Sequence, residues 1–385
     1  MIMQSTSLLE REAAPKSMGR EGVVSDMSGR GVRTEEGLRF DQTVPRSLVH
    51  RASVAEVFLT DARRVSPGVF RVAAQWPRGH GLYQPTAEGL QDPVLVAETI
   101  RQAGIYLSHT YYGVPLDHRF VIRDLAFRIE DPEALVTRPA PPRVVLDIAF
   151  TEHSRRTQTR FGGTLDVVVE VEGRRCARAS LGFMAVDDAL YLKLRHRGGA
   201  PSEAGPGARQ LTPTPGPRLP QHAVGRSGGA ENVVLAEDAD GAGSDSWRLH
   251  VDTGHVGFFE HPSDHVPGML LVEAFRQAGH ALLGRRPAGG LVTCEVTFDV
   301  FGELHAPVRI TATGRPQLQA EPQAEPQAEP QSPYPAGVTE VLLAAVQDGR
   351  TLARARVGHR PAARTGAQAR EAGLHGAALR EGAAA

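Results

Sequence analysis

Two short segments carry the side chains best suited to acid–base and anion chemistry. In PVLVAETIRQAGIYL, beginning at Pro93, Glu98 and Arg101 stand at i and i+3 with Gln102 at i+4, so all three share one helical face. In GMLLVEAFRQAGHALL, beginning at Gly268, Glu273, Arg276 and Gln277 repeat the pattern. Both segments are apolar on most other faces, and a helix that is apolar nearly all round is buried. Buried charge is costly unless it is paired, so each Glu–Arg pair needs a reason. One reason is chemical: a polar site beside an acyl pocket, with Glu98 or Glu273 as general base and Arg101 or Arg276 as ligand of an oxyanion or phosphate. The other is structural: an intrahelical salt bridge that seals the helix against the other repeat or a partner subunit.

The second segment has a richer approach. His261-Pro-Ser-Asp-His265-Val-Pro-Gly268 leads into it, and histidine close to a helix N-terminus can act as an acid, a base or an oxyanion-shaping group. A turn whose histidines only cap or pack is the alternative. The matching stretch of the first unit, taken as Trp76-Pro-Arg-Gly-His80-Gly-Leu-Tyr83, has one histidine and no Pro-Gly. The second site is therefore expected to be the working one. No nucleophile elbow, phosphate loop, dinucleotide-binding glycine motif, zinc-protease motif or C-x-x-C is present. Cys176 and Cys294 lie in strand-like runs and read as core residues. Nothing points to a metal or a redox cofactor.

These segments need elements to hold them. Glu98, Arg101, Gln102 and Gly104 align one-to-one with Glu273, Arg276, Gln277 and Gly279, and each segment is followed by a strand-like run with a central Phe, VIRDLAFRI with Phe127 and LVTCEVTFDV with Phe298. We conclude that one structural unit is duplicated. In the first unit Asp92 is placed to cap the helix and Pro93 to start it. Around that helix lie SVAEVFLTDARRV, GVFRVAAQW, RVVLDIAF, TLDVVVEVEG and ARASLGFMAV, all alternating or β-branched. Strands outnumber helices, so the class is α+β, with each unit a long antiparallel sheet curled around one central helix.

The expected organisation is a mobile arm over residues 1–44, a first domain over 45–195, a Pro/Gly-rich linker over 196–229, a second domain over 230–360 and a disordered tail over 361–385. AEPQ occurs three times from Ala320 to Gln331, flanked by the strand-like runs Pro307–Ala312 and Val338–Ala345. It reads as an expanded hairpin loop over about 318–334, tolerated because loop-closure cost grows slowly with length.

Length and charge set the outer bounds. The 385 residues carry 43 basic and 44 acidic side chains, a formal net charge of −1, which gives no whole-chain reason to expect nucleic acid or an anionic membrane as partner. No helix-turn-helix pattern or basic recognition stripe argues for DNA. With no apolar run long enough to span a bilayer and no signal-peptide core, a soluble cytoplasmic protein is expected.

The run H-P-x-D-H-V-P-G-M-L-L-V-E-A-F-R-Q-A-G carries two layers of likeness. P-G-x-x-x-x-E-A-x-x-Q-A is similar to the active-site helix of the β-hydroxyacyl-carrier-protein dehydratases, which have the hotdog fold. The spacing from His261 to Gly268 is shorter than in those dehydratases, which argues against that reaction. More specifically, VHRASVAEVFLTD, QWPRGHGLY, DPVLVAETIRQAGIYLSHTYYGVPLDHRF, WRLHVDTGHVGFFEHPSDHVPGMLLVEAFRQAG and VTFDVFGEL make the chain resemble the A-factor biosynthesis (AfsA-type) family. The likeness spans about residues 48–359, apart from the linker and the AEPQ insert. It implies two tandem hotdog units paired as an internal pseudo-dimer, making γ-butyrolactone signals of actinomycetes. The implied reaction moves a β-ketoacyl group from an acyl carrier protein thioester to the hydroxyl of dihydroxyacetone phosphate, and the ester then cyclises to a butenolide phosphate. No cofactor is implied. On that reading Glu273 takes the hydroxyl proton and Arg276 binds the triose phosphate. Glu98 and Arg101 form a second site or a structural counterpart, and Gln102, Gln277, His261 and His265 line the substrate. A hotdog thioesterase or dehydratase, or a non-catalytic acyl-ligand-binding regulator, is the alternative.

Overall fold

The computed structural model describes residues 37–154, 157, 159–197, 216–238, 245–260, 263–283, 288–313, 317–318 and 337–361. In the first unit β1 (Leu59–Ser66) and β2 (Val69–Gln75) precede the central helix α1 (Val94–Tyr112). Four strands follow: β3 (Arg119–Ile129), β4 (Arg143–Ser154), β5 (Arg160–Val171) and β6 (Arg174–Val186). A short helix, α2 (Asp188–Arg197), closes the unit. In the second unit β7 (Leu235–Glu237) and β8 (Ser246–Leu249) precede the central helix α3 (Gly268–Leu283). Then come β9 (Ala288–Phe298), β10 (Arg309–Ala312), β11 (Gln317–Leu318), β12 (Thr339–Gln347) and β13 (Arg350–Pro361).

All these strands belong to one antiparallel sheet in the order β1-β2-β4-β5-β6-β3-β9-β13-β12-β10-β8-β7, with β11 paired to β12. The order is a palindrome about the β3–β9 pair, where Asp124 faces Thr297 and Arg128 faces Thr293. The duplicated units therefore join edge to edge, and their pairing covers one edge of each, β3 and β9, while β1 and β7 end the sheet.

Local chemistry explains the helices. Asp92 Oδ1 accepts the Val94 N–H at 2.9 Å, the expected capping contact, and Pro93 has no N–H to leave unsatisfied. At the other end Gly113 takes φ 62° and its N–H closes on the Ser108 carbonyl, a left-handed stop that glycine adopts without a Cβ penalty. α1 packs on β1, β3, β5 and β6, and α3 on β9, β10, β12 and β13, so each half of the sheet wraps its helix. Cys176 and Cys294 are fully buried in the two sheets, and burial pushes both thiols up to about 12.

Several boundaries differ from the sequence expectation. Within the stretch read as an arm, Leu38 and Val44 are buried in the first unit, and the Arg39 N–H reaches Asp61 Oδ2 at 3.0 Å. Within the stretch read as linker, residues 216–229 belong to the second unit: Gln221–Val224 forms a 3-10 turn, and Val224 and Arg226 are buried. Their Pro and Gly content hid one anchoring Val and one anchoring Arg. The helix α2 was also not foreseen. β10 pairs with β12 from Arg309 opposite Val346 to Ala312 opposite Leu343. The AEPQ repeat between them, residues 1–36 and the tail from 362 lie outside the described residues.

Candidate active site

The structure places Glu98, Arg101 and Gln102 together on α1, as their spacing requires, and adds an arginine from outside the helix. Glu98 is fully buried. Arg101 bonds it twice, Nε to Oε2 and Nη2 to Oε1, both at 2.9 Å. Gln102 Nε2 donates to Oε1 at 2.8 Å, and Arg51 Nη2 donates to the same oxygen. Gln102 also receives the Phe58 N–H and donates to the Glu56 carbonyl, which ties the helix to the segment leading into β1.

α3 repeats this. Glu273 is 1% exposed. It receives Arg226 through Nε at 2.7 Å and Nη2 at 2.5 Å, Arg276 through Nε at 3.0 Å and Nη2 at 2.9 Å, and Gln277 Nε2 at 2.6 Å. Gln277 also receives the Val234 N–H and donates to the Asn232 carbonyl. Arg51 and Arg226 each lie 47 residues before their glutamate. Each follows a matching 3-10 turn, Arg46–Val49 and Gln221–Val224, capped by a left-handed residue, His50 at φ 52° and Gly225 at φ 60°. The sequence reading missed both arginines. The repeated signal was Val49-His50-Arg51 against Val224-Gly225-Arg226.

These two arginines also cross between the units. Arg226 Nη1 donates to Asp92 Oδ2 at 2.5 Å and to the Leu82 carbonyl at 3.1 Å, both in the first unit. Asp92 thus caps α1 with one oxygen and receives Arg226 with the other. In the reverse direction Arg51 Nη1 reaches Glu260 Oε2 at 2.8 Å, and Glu260 Oε1 also takes the Ser53 N–H at 2.6 Å. Each site is completed by a residue of the opposite unit.

The electrostatics follow from this crowding. Burial alone would raise the Glu98 carboxyl, but Arg101 and Arg51 outweigh it and hold the group at about 2. At Glu273 burial is likewise outweighed, by Arg226 and Arg276, and the carboxyl also sits at about 2. Both glutamates are ionised at neutral pH with their lone pairs engaged. A carboxylate in that state is a weak proton acceptor, so the expected role of Glu273 as general base does not fit the geometry. Arg276 does not present an open guanidinium either: beyond Glu273 it donates to the Gly225 carbonyl at 3.2 Å and the Val224 carbonyl at 3.1 Å. The sealing salt bridge named as the structural alternative is present in both units, and it extends across the unit boundary.

The histidines resolve differently from their expected pairing. The counterpart of His80 is His255, not His261 or His265. His80 Nδ1 accepts the Leu82 and Tyr83 N–H groups, and its Nε2 lies 3.1 Å from Glu56 Oε1. His255 Nδ1 accepts the Gly257 N–H, and its Nε2 lies 3.1 Å from Asn232 Oδ1. Both rings brace a loop. His261 lies outside the described residues. His265 is partly exposed and shares no partner with Glu273 among the described residues. Its Nδ1 lies 2.8 Å from Asp264 Oδ1 and 3.1 Å from the Tyr191 hydroxyl, which itself donates to Asp264 at 2.6 Å. Burial works against the Asp264 charge, but the bonds from His265 and Tyr191 hold its carboxyl well below the usual range. Among the described residues no group of three or more His, Cys, Asp or Glu is arranged to hold a metal ion. No helix among them is long and apolar enough to cross a membrane.

Comparison with known proteins places this geometry. The family described as "A-factor biosynthesis hotdog domain" matches residues 32–187 and 209–361, one segment per unit. A 2-oxo-3-(phosphooxy)propyl 3-oxoalkanoate synthase of Streptomyces virginiae is 37% identical over 274 residues, covering 71% of this chain and 88% of that protein. A Streptomyces coelicolor protein of the same name is 32% identical over 277 residues, covering 71% of this chain and 82% of its own. Among solved structures, a 12:0-ACP thioesterase from Umbellularia californica aligns with TM-score 0.40 at 10% identity, over 76% of this chain and 94% of that one.

Proposed function

Because this chain belongs to the A-factor biosynthesis hotdog domain family, we propose that it is an acyltransferase of γ-butyrolactone signal biosynthesis. It joins a β-ketoacyl group, delivered as an acyl carrier protein thioester, to the hydroxyl of dihydroxyacetone phosphate. The hydroxyl oxygen attacks the thioester carbonyl, the new C–O ester bond forms, the C–S bond breaks, and the hydroxyl proton ends on the departing thiol. The ester is then set to close to a butenolide phosphate. The observation that carries this reading is the family match across both units, together with synthases of that name at 32–37% identity over most of the chain. We place the reaction in the cytoplasm.

The geometry refines the roles. Glu98 and Glu273 act as positioning residues that hold guanidiniums in place. Electrostatic stabilisation of the developing oxyanion and binding of phosphate fall to those guanidinium N–H groups that the carboxylates and backbone carbonyls leave open, which excludes Arg276 and Arg226. For the proton we assign His265: Asp264 orients Nδ1, and Nε2 makes no hydrogen bond to a described residue. A hydroxyl, an imidazole and an orienting carboxylate form the usual acid–base relay.

Mass spectrometry on the purified protein with a β-ketoacyl thioester, with and without dihydroxyacetone phosphate, tests the proposal. A phosphorylated ester or butenolide formed only with the triose is expected, and His265→Ala is expected to lower its rate by about 10²-fold or more. Free β-keto acid formed regardless of the triose would make the protein a thioesterase. An untouched thioester that still binds would make it a ligand-binding module.

A further inference from the structure

The two arginine sets differ in what they leave open. In the second unit Arg276 is ringed by Glu273 and two backbone carbonyls, and Arg226 by Glu273, Asp92 and a third carbonyl. In the first unit Arg101 bonds Glu98 alone among the described residues. Its Nη1 has no partner among the described residues, and its side chain keeps 16% exposure, twice that of Arg276 at 8%. Arg51 is a second opening: its side chain is only 8% exposed, yet its Nε is buried with no hydrogen-bond partner. Arg51 and Arg101 share one anchor, since a nitrogen of each donates to the same oxygen, Glu98 Oε1.

A buried N–H of a charged group without an acceptor is costly, so a partner is expected in the working protein. The donors left over belong to two planar guanidiniums anchored on one carboxylate. That arrangement suits a tetrahedral oxyanion, whose several oxygens can meet donors on both planes, better than a single carbonyl oxygen. Arg101 supplies the solvent-facing arm and Arg51 the buried one.

We propose that the phosphate of the triose acceptor is held in the first unit, by Arg101 Nη1 and Arg51 Nε, while the matching arginines of the second unit serve only to hold Glu273 and the unit boundary. The proposal rests on the acyltransferase reading above and reverses the sequence expectation that Arg276 is the phosphate ligand. Glu98 is the positioning residue of this cradle, and Glu260 anchors the far side of Arg51.

Steady-state kinetics and direct titration with dihydroxyacetone phosphate on the full-length protein provide the test, using Arg101→Lys and Arg101→Gln. The lysine variant keeps a cation beside Glu98 and so guards against loss of the fold. Both variants are expected to raise KM for the triose, and to weaken its binding in the titration, by about 10-fold or more. KM for the thioester should change less than about twofold, and Arg101→Gln should be the worse of the two. Arg276→Lys should leave triose affinity within about threefold. Inorganic phosphate should compete with the triose in the wild type and lose that competition in Arg101→Gln. An unchanged triose KM in both Arg101 variants, or a loss seen only in Arg276→Lys, would overturn the proposal. So would a loss of thioester affinity in place of triose affinity, which would make Arg101 an oxyanion ligand. If the wild type forms no triose ester at all, the acyltransferase reading falls. The titration then still reports whether phosphate sits at Arg101.

Discussion

Around Glu98 one guanidinium edge faces solvent and another N–H is buried without a partner, whereas around Glu273 both arginines are ringed by carboxylates and backbone carbonyls. The same Glu, Arg and Gln occupy the same helical positions in both units, and a matching second Arg follows the turn ahead of each, so the difference does not come from the four side chains. It comes from the turn beside them. There the Val224 and Gly225 carbonyls accept from Arg276. His50 stands at the matching position, and its ring lies 2.9 Å from His109 and packs on Phe120. A duplicated unit thus keeps its buried ion cluster in both copies while the partners around its arginines differ. A second contrast lies behind the helices. At Gly104 the first unit packs Leu181, Leu165 and Phe183, while at Gly279 the second packs Val357 and the buried imidazole of His359. Burial, with the charges of His280 and Arg276, holds that imidazole down at about 3.

The largest effect should come from Arg226→Ala, which leaves Asp92 without its cationic partner and Glu273 with one guanidinium in place of two. Removing one partner of a buried ion cluster costs on the order of 3–5 kcal/mol. Denaturant unfolding reads it directly, and a loss under about 1 kcal/mol would mean the cluster is more hydrated than its burial implies. Arg51→Ala should be milder, at about 3 kcal/mol. There Glu98 keeps Arg101 and Gln102, and Glu260 keeps the Ser53 N–H. Equal losses in the two variants would break the comparison.

Acid should act on both units together. Each glutamate sits at about 2, below its ordinary 4.5, so its stabilising contribution is complete above about 4.5 and is lost as pH falls from there through 2. A single unfolding transition within that window, followed by circular dichroism, is the expected result. Two separated transitions would show that the units differ more than their carboxylates do.

The smallest effects should come from the two glycines. A Cβ at Gly279 would lie 2.7 Å from both Val357 and His359, whereas one at Gly104 would meet Leu181 at 3.1 Å. Gly279→Ala is expected to cost about 1–3 kcal/mol from overpacking. Gly104→Ala should be close to neutral, because the helix-propensity gain of about 1 kcal/mol offsets a small shift of one leucine. Thermal melts of both variants check this order, and a Gly104→Ala loss as large as that of Gly279→Ala would remove the contrast.

What the sequence determined by itself is local or periodic. The helical spacing of Glu98, Arg101 and Gln102, their recurrence at Glu273, Arg276 and Gln277, the Asp92 cap and the alternating strands all lie within one element. Their geometry follows from 3.6- and 2-residue periods, and the duplication followed from the repeated motif. The tertiary structure alone decided which groups meet across the chain. It brought Arg51 and Arg226 to glutamates 47 residues away and joined Arg226 to Asp92 and Arg51 to Glu260. It also surrounded the Glu273 carboxylate with two guanidiniums and an amide. The physical reason is that a carboxylate's basicity depends on every charge within a few ångströms. Half of those charges, Arg51 and Arg226, arrive through the turns ahead of each unit, where no helical or strand period relates them to the glutamates.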